Sequence, residues 1–223
     1  MPVMTSDFAA ERQAMVERQI ASRGITDEAI LNAFGAVPRE LFVPPEYAEL
    51  AYGDHPLPIQ AGQTISQPYI VALMIQAAEI RAGDKVLEIG AGSGYAAAVI
   101  SRIAGELVAI ERQRDLVELA RERLLKLGYG NVTLLEGDGT RGCSEQAPFD
   151  AILAAASGSH VPQPLVEQLA DGGRIVMPVG DPGWVQELVK VTKRAGGELV
   201  QENLGGVRFV PLIGEEGWKD ARS

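Results

Sequence analysis

Glu88-Ile89-Gly90-Ala91-Gly92-Ser93-Gly94-Tyr95 ends an apolar run that begins at Lys85 and leads directly into an alanine-rich stretch of helical character. A strand that closes in spaced glycines and passes straight into a helix allows a ligand to approach the main chain and turns helix N-terminal amides toward it. A dinucleotide-binding fingerprint would need a further glycine three residues after Gly92, but Tyr95 stands there. Glu88, at the mouth of the strand, would also repel a pyrophosphate. The turn therefore predicts an α/β nucleotide-type crevice but not one built for a dinucleotide.

Outward from this turn, the alternation of strand and helix continues. Strands are expected at Lys85 to Ile89, Glu106 to Glu111, Val132 to Glu136, Ala151 to Ala155 and Arg174 to Val179, and helices at Tyr95 to Ala104, Gln113 to Leu127 and Pro162 to Ala170. Strands separated by helices of this length imply a mostly parallel sheet with helices on both faces. Beyond Trp184 the pattern changes to two extended segments, Val185 to Lys193 and Glu198 to Phe209, read as antiparallel strands that close one edge.

On the N-terminal side, Phe8 to about Arg23 is helix-compatible. A second helix is expected to open at Thr26 as N-cap, with Ile30, Ala33, Phe34 and Val37 on one buried face and Pro38 closing it. Pro38 to Pro68 is rich in proline and glycine, so its order must come from packing against something else. A helix through Ile70, Leu73, Met74 and Ala77 follows. One domain over residues 1–223 is predicted: a helical, loop-rich extension at 1–80, an α/β core at 81–180, and edge strands with a tail at 181–223.

The chain has 223 residues, 46% of them hydrophobic, which suffices for one large core. Lys plus Arg number 20 against 30 Asp plus Glu, a formal charge of −10, and such a surface disfavours nucleic acid. The single cysteine, Cys143, excludes an internal disulfide and suits a reducing compartment. The residues near the amino terminus lack a signal-like apolar stretch, and no run is long enough to span a membrane, so a cytoplasmic protein with no membrane partner is expected. His55, His160 and Cys143 offer no metal-ligand spacing.

Three strand ends carry acids. Glu88 ends the first, Glu111 the second, and Asp138 follows the third in Glu136-Gly137-Asp138-Gly139. Carboxyl ends of parallel strands point into the ligand crevice of such a sheet. The G-x-G-x-G spacing behind an acid resembles that of S-adenosylmethionine-dependent methyltransferases, which implies a Rossmann-like class I methyltransferase fold. On that reading Gly90 and Gly92 form the cofactor turn and Glu88 faces the methionyl ammonium. Glu111 accepts the ribose hydroxyls, and Asp138 with Gly139 meets the adenine.

A more specific resemblance comes from Leu57-Pro58-Ile59-Gln60-Ala61-Gly62-Gln63-Thr64-Ile65-Ser66-Gln67-Pro68-Tyr69, together with Ala36 to Val43, Ala147 to Ile152 and Val207-Arg208-Phe209-Val210-Pro211-Leu212. These runs resemble, in the same order, those of the protein-L-isoaspartate O-methyltransferases, from about Met15 to Leu212. The resemblance implies that Ser66 is the active-site residue, that Gln63, Thr64 and Ile65 lie beside the cofactor, and that Val207, Phe209 and Val210 lie beside the substrate peptide. It further implies methyl transfer to the free α-carboxylate of L-isoaspartyl residues in damaged proteins and peptides, and an ester that cyclises to a succinimide; a monomer is expected, although no residue pattern bears on oligomeric state. Gln60 departs from the glycine often found in that loop, and Ala155 to His160 departs from the family's proline-containing run; both bear on substrate fit. Two rival readings are a methyltransferase for another carboxylate or an RNA, and a non-catalytic adenosylmethionine-binding regulator.

Overall fold

The computed structural model describes residues 7–219, so the two ends of the expected domain, 1–6 and 220–223, lie outside the described residues. Helix α1, Phe8–Met15, is capped by Asp7, whose carboxylate accepts from Ala10 N at 3.1 Å. The helix continues through a π turn at Val16–Ile20 and a 3-10 turn at Ala21–Arg23 to a left-handed Gly24. Helix α2, Glu28–Ala36, is capped by Asp27 and not by the expected Thr26: the Asp27 carboxylate accepts from Ala29 N at 2.8 Å. An ionised oxygen beside the positive end of a helix gains more than a neutral hydroxyl does.

The proline-rich stretch folds into 3-10 turns at Arg39–Phe42 and Pro45–Leu50, then a small hairpin of β1, Leu57–Pro58, against β2, Thr64–Ile65. Helix α3, Pro68–Ala77, starts on a proline, which is tolerated where no intrahelical amide donor is required. The strand and helix series follows as β3 (Lys85–Ile89), α4 (Tyr95–Ser101), β4 (Glu106–Glu111), α5 (Arg114–Lys126), β5 (Val132–Glu136), β6 (Phe149–Ala154), α6 (Gln163–Glu167), β7 (Leu169–Val179), β8 (Gln186–Lys193) and β9 (Leu199–Val207).

These seven strands form one sheet in the order β5-β4-β3-β6-β7-β8-β9. The five from β5 to β7 run parallel, and β8 and β9 are antiparallel at the edge. Along β3 and β4, Val86 and Leu107 pack into one buried cluster while Leu87 and Val108 pack into the other, on the opposite face. A sheet covered on both faces explains why these strands read as nearly continuous apolar runs. From β3 the chain winds outward through β4 and β5, then returns to place β6 on the other side of β3, which opens a crevice at their carboxyl ends.

The expected helix over Pro162 to Ala170 is much shorter, Gln163–Glu167. Leu169 instead pairs with Phe149 as the start of β7, and Gln168 is spent on the Arg141 carbonyl and the Cys143 amide, so the sheet takes the residues that helical periodicity had claimed. The N-terminal extension is packed onto the core through Phe34 and Phe42, whose rings lie 6.2 and 5.7 Å from that of Tyr95. No helix among the described residues is long and apolar enough to cross a membrane.

Candidate active site

A cavity of about 850 Å³ opens at the carboxyl ends of β3, β4 and β6. Its lining includes the hairpin loop at 61–66, the glycine turn at 88–93, and residues 210–213 with Trp218 and Lys219. Gln63, Thr64, Ile65, Ser66, Glu88, Gly90, Gly92, Glu111 and Gly139 all line it. Residues from four separate segments of the sequence are thus brought to one space.

The turn after β3 is held open by backbone geometry. Gly90 and Gly92 have φ of 83° and 54°, values that L side chains adopt only at a cost. Gly92 N donates to Glu111 Oε2 at 2.9 Å, and Gln113 N donates to Glu111 Oε1 at 2.9 Å. One carboxylate therefore ties the glycine turn to the start of α5, and each of its oxygens keeps acceptor capacity for a ligand. Gly139 approaches Ile89 so closely that a β-carbon there would collide with the isoleucine side chain.

Glu88 is only 2% exposed, and its Oε2 has no hydrogen-bond partner among the described residues. Burial, and secondarily the neighbouring Glu111, push its carboxyl up to about 8. A buried acceptor left unpaired in a cavity wall is costly unless something occupies it. Together with the paired oxygens of Glu111, it fits a hydroxyl-rich ligand that also carries positive charge.

Asp138 stands apart from this group. It borders a separate pocket with Arg112 and Glu136. Its Oδ1 accepts from Thr140 N at 2.9 Å and Thr140 Oγ1 at 2.7 Å, and its Oδ2 accepts from Glu215 N at 2.8 Å. Burial opposes its ionisation, but the hydrogen bonds from Glu215 and Thr140 prevail and hold its carboxyl below the usual range. In the fold this carboxylate latches the terminal segment, and its Oδ2, with a single donor, keeps acceptor capacity as the oxygens of Glu111 do.

Ser66 follows β2 and lines the cavity; its hydroxyl bonds no other described residue. Its main-chain oxygen is held from behind by Arg39, whose Nη2 donates to it at 2.9 Å while Nε donates to Ala51 O at 2.7 Å. The Arg39 guanidinium lies 4.7 Å from the centre of the Tyr95 ring, so the loop, the extension and the helix after the glycine turn share one anchor. Sequence reasoning gave Arg39 no role, although a charged residue between the buried Val37 and Phe42 was a signal that it is paired inside.

Of the three residues expected beside the peptide, only Val210 lines the cavity. Val207 is buried at the end of β9, and Phe209 N donates to Gln186 Oε1 at 2.8 Å. Ser157 N donates to Val210 O and Leu212 N to Ser157 O, each at 2.8 Å, so this segment already pairs with Ser157, just beyond β6. Trp218 and Lys219 were not foreseen: Trp218 Nε1 donates to Ser157 O at 2.9 Å and thereby seats the terminal segment against the cavity. Its only sequence signal is the pair Gly214 and Gly217, neither of which has room for a side chain against Asp138 or Thr140.

Comparison with known proteins gives one consistent result. The family model described as protein-L-isoaspartate(D-aspartate) O-methyltransferase matches residues 10–217. The chain is 54% identical over 213 residues to protein-L-isoaspartate O-methyltransferase 1 of Rhodopseudomonas palustris (strain HaA2), covering 96% of this chain and 87% of that protein. It is also 54% identical over 207 residues to protein-L-isoaspartate O-methyltransferase 2 of Pelobacter propionicus, covering 93% and 92%. A solved protein-L-isoaspartate O-methyltransferase superposes with a TM-score of 0.83 at 32% identity, covering 92% of this chain and 67% of that one. A putative enzyme of the same name from Plasmodium falciparum, crystallised in complex with S-adenosyl-L-homocysteine, superposes with a TM-score of 0.78 at 26% identity, covering 91% and 98%. The glycine turn, the Ser66 loop and the antiparallel edge all lie within residues 10–217, and this chain belongs to the protein-L-isoaspartate(D-aspartate) O-methyltransferase family.

Proposed function

We infer that the cavity carries out S-adenosylmethionine-dependent methylation of the free α-carboxylate of L-isoaspartyl residues in peptides and damaged proteins. The observation that carries this is the convergence, in one cavity, of Glu88 and Glu111 on one side and the unpartnered hydroxyl of Ser66 on the other. S-adenosylmethionine supplies an electrophilic methyl group on a positively charged sulfur. Glu111 would hold the ribose hydroxyls, Glu88 would face the positive charge, and Gly90, Gly92, Gly139 and the 63–65 segment would give the ligand close main-chain approach. Asp138 contributes to the adenine end through the latch it forms, by keeping Trp218 and Lys219 in the wall.

The acceptor carboxylate is already ionised at neutral pH, so the chain needs no base in the cavity. It has to strip water from that carboxylate and hold one of its oxygens in the line of attack. Ser66 is suited to this because its hydroxyl is unspent within the fold, while its backbone is fixed by Arg39. A neutral donor orients the carboxylate without over-stabilising an anion whose charge is lost as the ester forms. Val210 would flank the peptide, with Val207 and Phe209 supporting it from outside the cavity.

Residues 7–219 are read as one domain, because one buried cluster runs from Met15 in the extension to Val207 at the sheet edge. A cytoplasmic monomer that does not act on nucleic acid belongs to the same proposal, the location resting on the single cysteine and the exclusion of nucleic acid on the net acidity. The test is to incubate the protein with methyl-labelled S-adenosylmethionine and either an isoaspartyl peptide or its aspartyl twin. Label is expected only in the isoaspartyl peptide and is lost as methanol in mild base. Base-stable label, or equal label in both peptides, would overturn the assignment.

A further inference from the structure

Trp184 and Val185 are adjacent, large and exposed, at 75% and 60% of their full surface, in the loop at 180–185 that joins β7 to β8. Pro182, two residues before the tryptophan, is part of the wall of the cavity that holds Ser66. The loop is a built turn. Trp184 N donates to Asp181 O at 3.1 Å, Gly183 N to Asp181 Oδ1 at 2.9 Å, and Gln186 Nε2 to Asp181 O at 3.2 Å.

Both ends of the turn are tied to the cavity wall. Gly180 N donates to Gly158 O at 2.8 Å, just beyond the lining residues Ala155 and Ala156. Gln186, 1% exposed, accepts from Phe209 N at 2.8 Å, next to Val210 in the wall. Val185 lies over Gly206, where a β-carbon would come within 2.9 Å of its Cγ1 methyl. An indole held in water by a fixed turn at the edge of a binding cavity has the character of an interaction anchor, since tryptophan is the residue most enriched where partners bind.

We propose that Trp184 and Val185 form an apolar lip that receives an apolar side chain flanking the isoaspartyl residue of the acceptor peptide. This rests on the carboxylate-methylating reading above. An acceptor residue inside a chain has neighbours on both sides that must leave the cavity across its rim. An extended chain advances about 3.3–3.6 Å per residue, so a neighbour one or two positions away meets a surface immediately beside the wall. The lip is bordered by the exposed carboxylates of Asp181 and Glu187, which disfavour an acidic neighbour there.

The experiment uses two isoaspartyl peptides that differ only in the residues flanking the isoaspartate, leucine in one and aspartate in the other. The wild-type protein is expected to favour the leucine peptide about ten-fold in kcat/KM, mainly through KM. In Trp184→Ala this preference falls several-fold, and in Trp184→Phe most of it is retained. S-adenosylmethionine affinity, measured on the same variants, reports that the cavity is still folded. A wild-type protein without preference, or a preference that survives Trp184→Ala unchanged, overturns the lip. A wild-type dimer that dissociates in Trp184→Ala would assign the surface to a second copy of the chain and overturn it as well. If neither peptide gains base-labile methyl, the underlying activity falls, and the lip with it.

Discussion

Arg39 donates through Nη2 to the main-chain oxygen of Ser66 at 2.9 Å from a position with none of its own surface exposed. A charge is buried here to fix a loop, and the loop presents to the cavity the Ser66 hydroxyl, which bonds no other described residue. Removing the guanidinium would leave two inward carbonyl oxygens, those of Ala51 and Ser66, without donors.

Arg39→Met is therefore expected to destabilise the protein by about 2–4 kcal/mol and to lower kcat for an isoaspartyl peptide even when the protein is kept below its unfolding temperature. Urea denaturation gives the first number and steady-state kinetics the second. A variant as stable and active as the wild type would show that the buried guanidinium neither supports the fold nor positions Ser66.

Ser66→Ala should leave S-adenosylmethionine affinity nearly unchanged, because on the proposed function the hydroxyl serves the acceptor carboxylate and not the cofactor. Turnover is expected to fall roughly five- to a hundred-fold, the effect of one lost orienting hydrogen bond of about 1–3 kcal/mol. Calorimetry with the cofactor and kcat with KM for the peptide separate the two effects. Wild-type turnover would reduce Ser66 to a turn residue.

Glu88 predicts a pH dependence with a definite sign. Its carboxyl titrates near 8 in the folded chain, well above its unfolded value, so between those values the folded state holds a proton that the unfolded state has released. The associated stability is complete at low pH and is lost as pH rises through about 8. Glu88→Gln, which cannot ionise, should gain in melting temperature relative to the wild type as pH is raised from about 5 to about 8 without ligand. A difference independent of pH would place the titration elsewhere. On the proposed function, in which the bound cation draws the proton off Glu88, the same substitution should weaken binding of S-adenosylmethionine, since an amide cannot become the negative group.

Asp138→Ala removes the acceptor for Glu215 N and the partner of Thr140 at once. Hydrogen exchange at the amides of Glu215 and Glu216 should accelerate markedly, and S-adenosylmethionine affinity should fall because Trp218 and Lys219 lose their seat. Unchanged protection at those amides would mean that Asp138 does not hold the segment. Because hydrogen bonding keeps this carboxyl below its usual range, its contribution in the wild type is present at neutral pH and is lost only as pH falls through that lowered value.

The sequence alone determined the strands from Lys85 to Ile89, from Glu106 to Glu111 and from Val132 to Glu136, because both faces of this sheet are buried and local hydrophobic runs suffice to mark such strands. It also determined the glycine turn and the Ser66 loop, whose residues are contiguous and whose chemistry is local. Tertiary structure decided what depends on residues distant in the chain. Leu169 and Ala170 are turned from helix to sheet by the pairing of Phe149 with Leu169, and Arg39 acquires its task only when residues 51 and 66 come to it. Asp138 is the sharpest case: just after β5 it reads as a ligand acceptor, and the fold adds a second task as Glu215, from 77 positions away, donates to one of its oxygens. A carboxylate satisfies whichever donors the completed fold brings within reach, and a long-range donor leaves no periodicity in the sequence by which to foresee it.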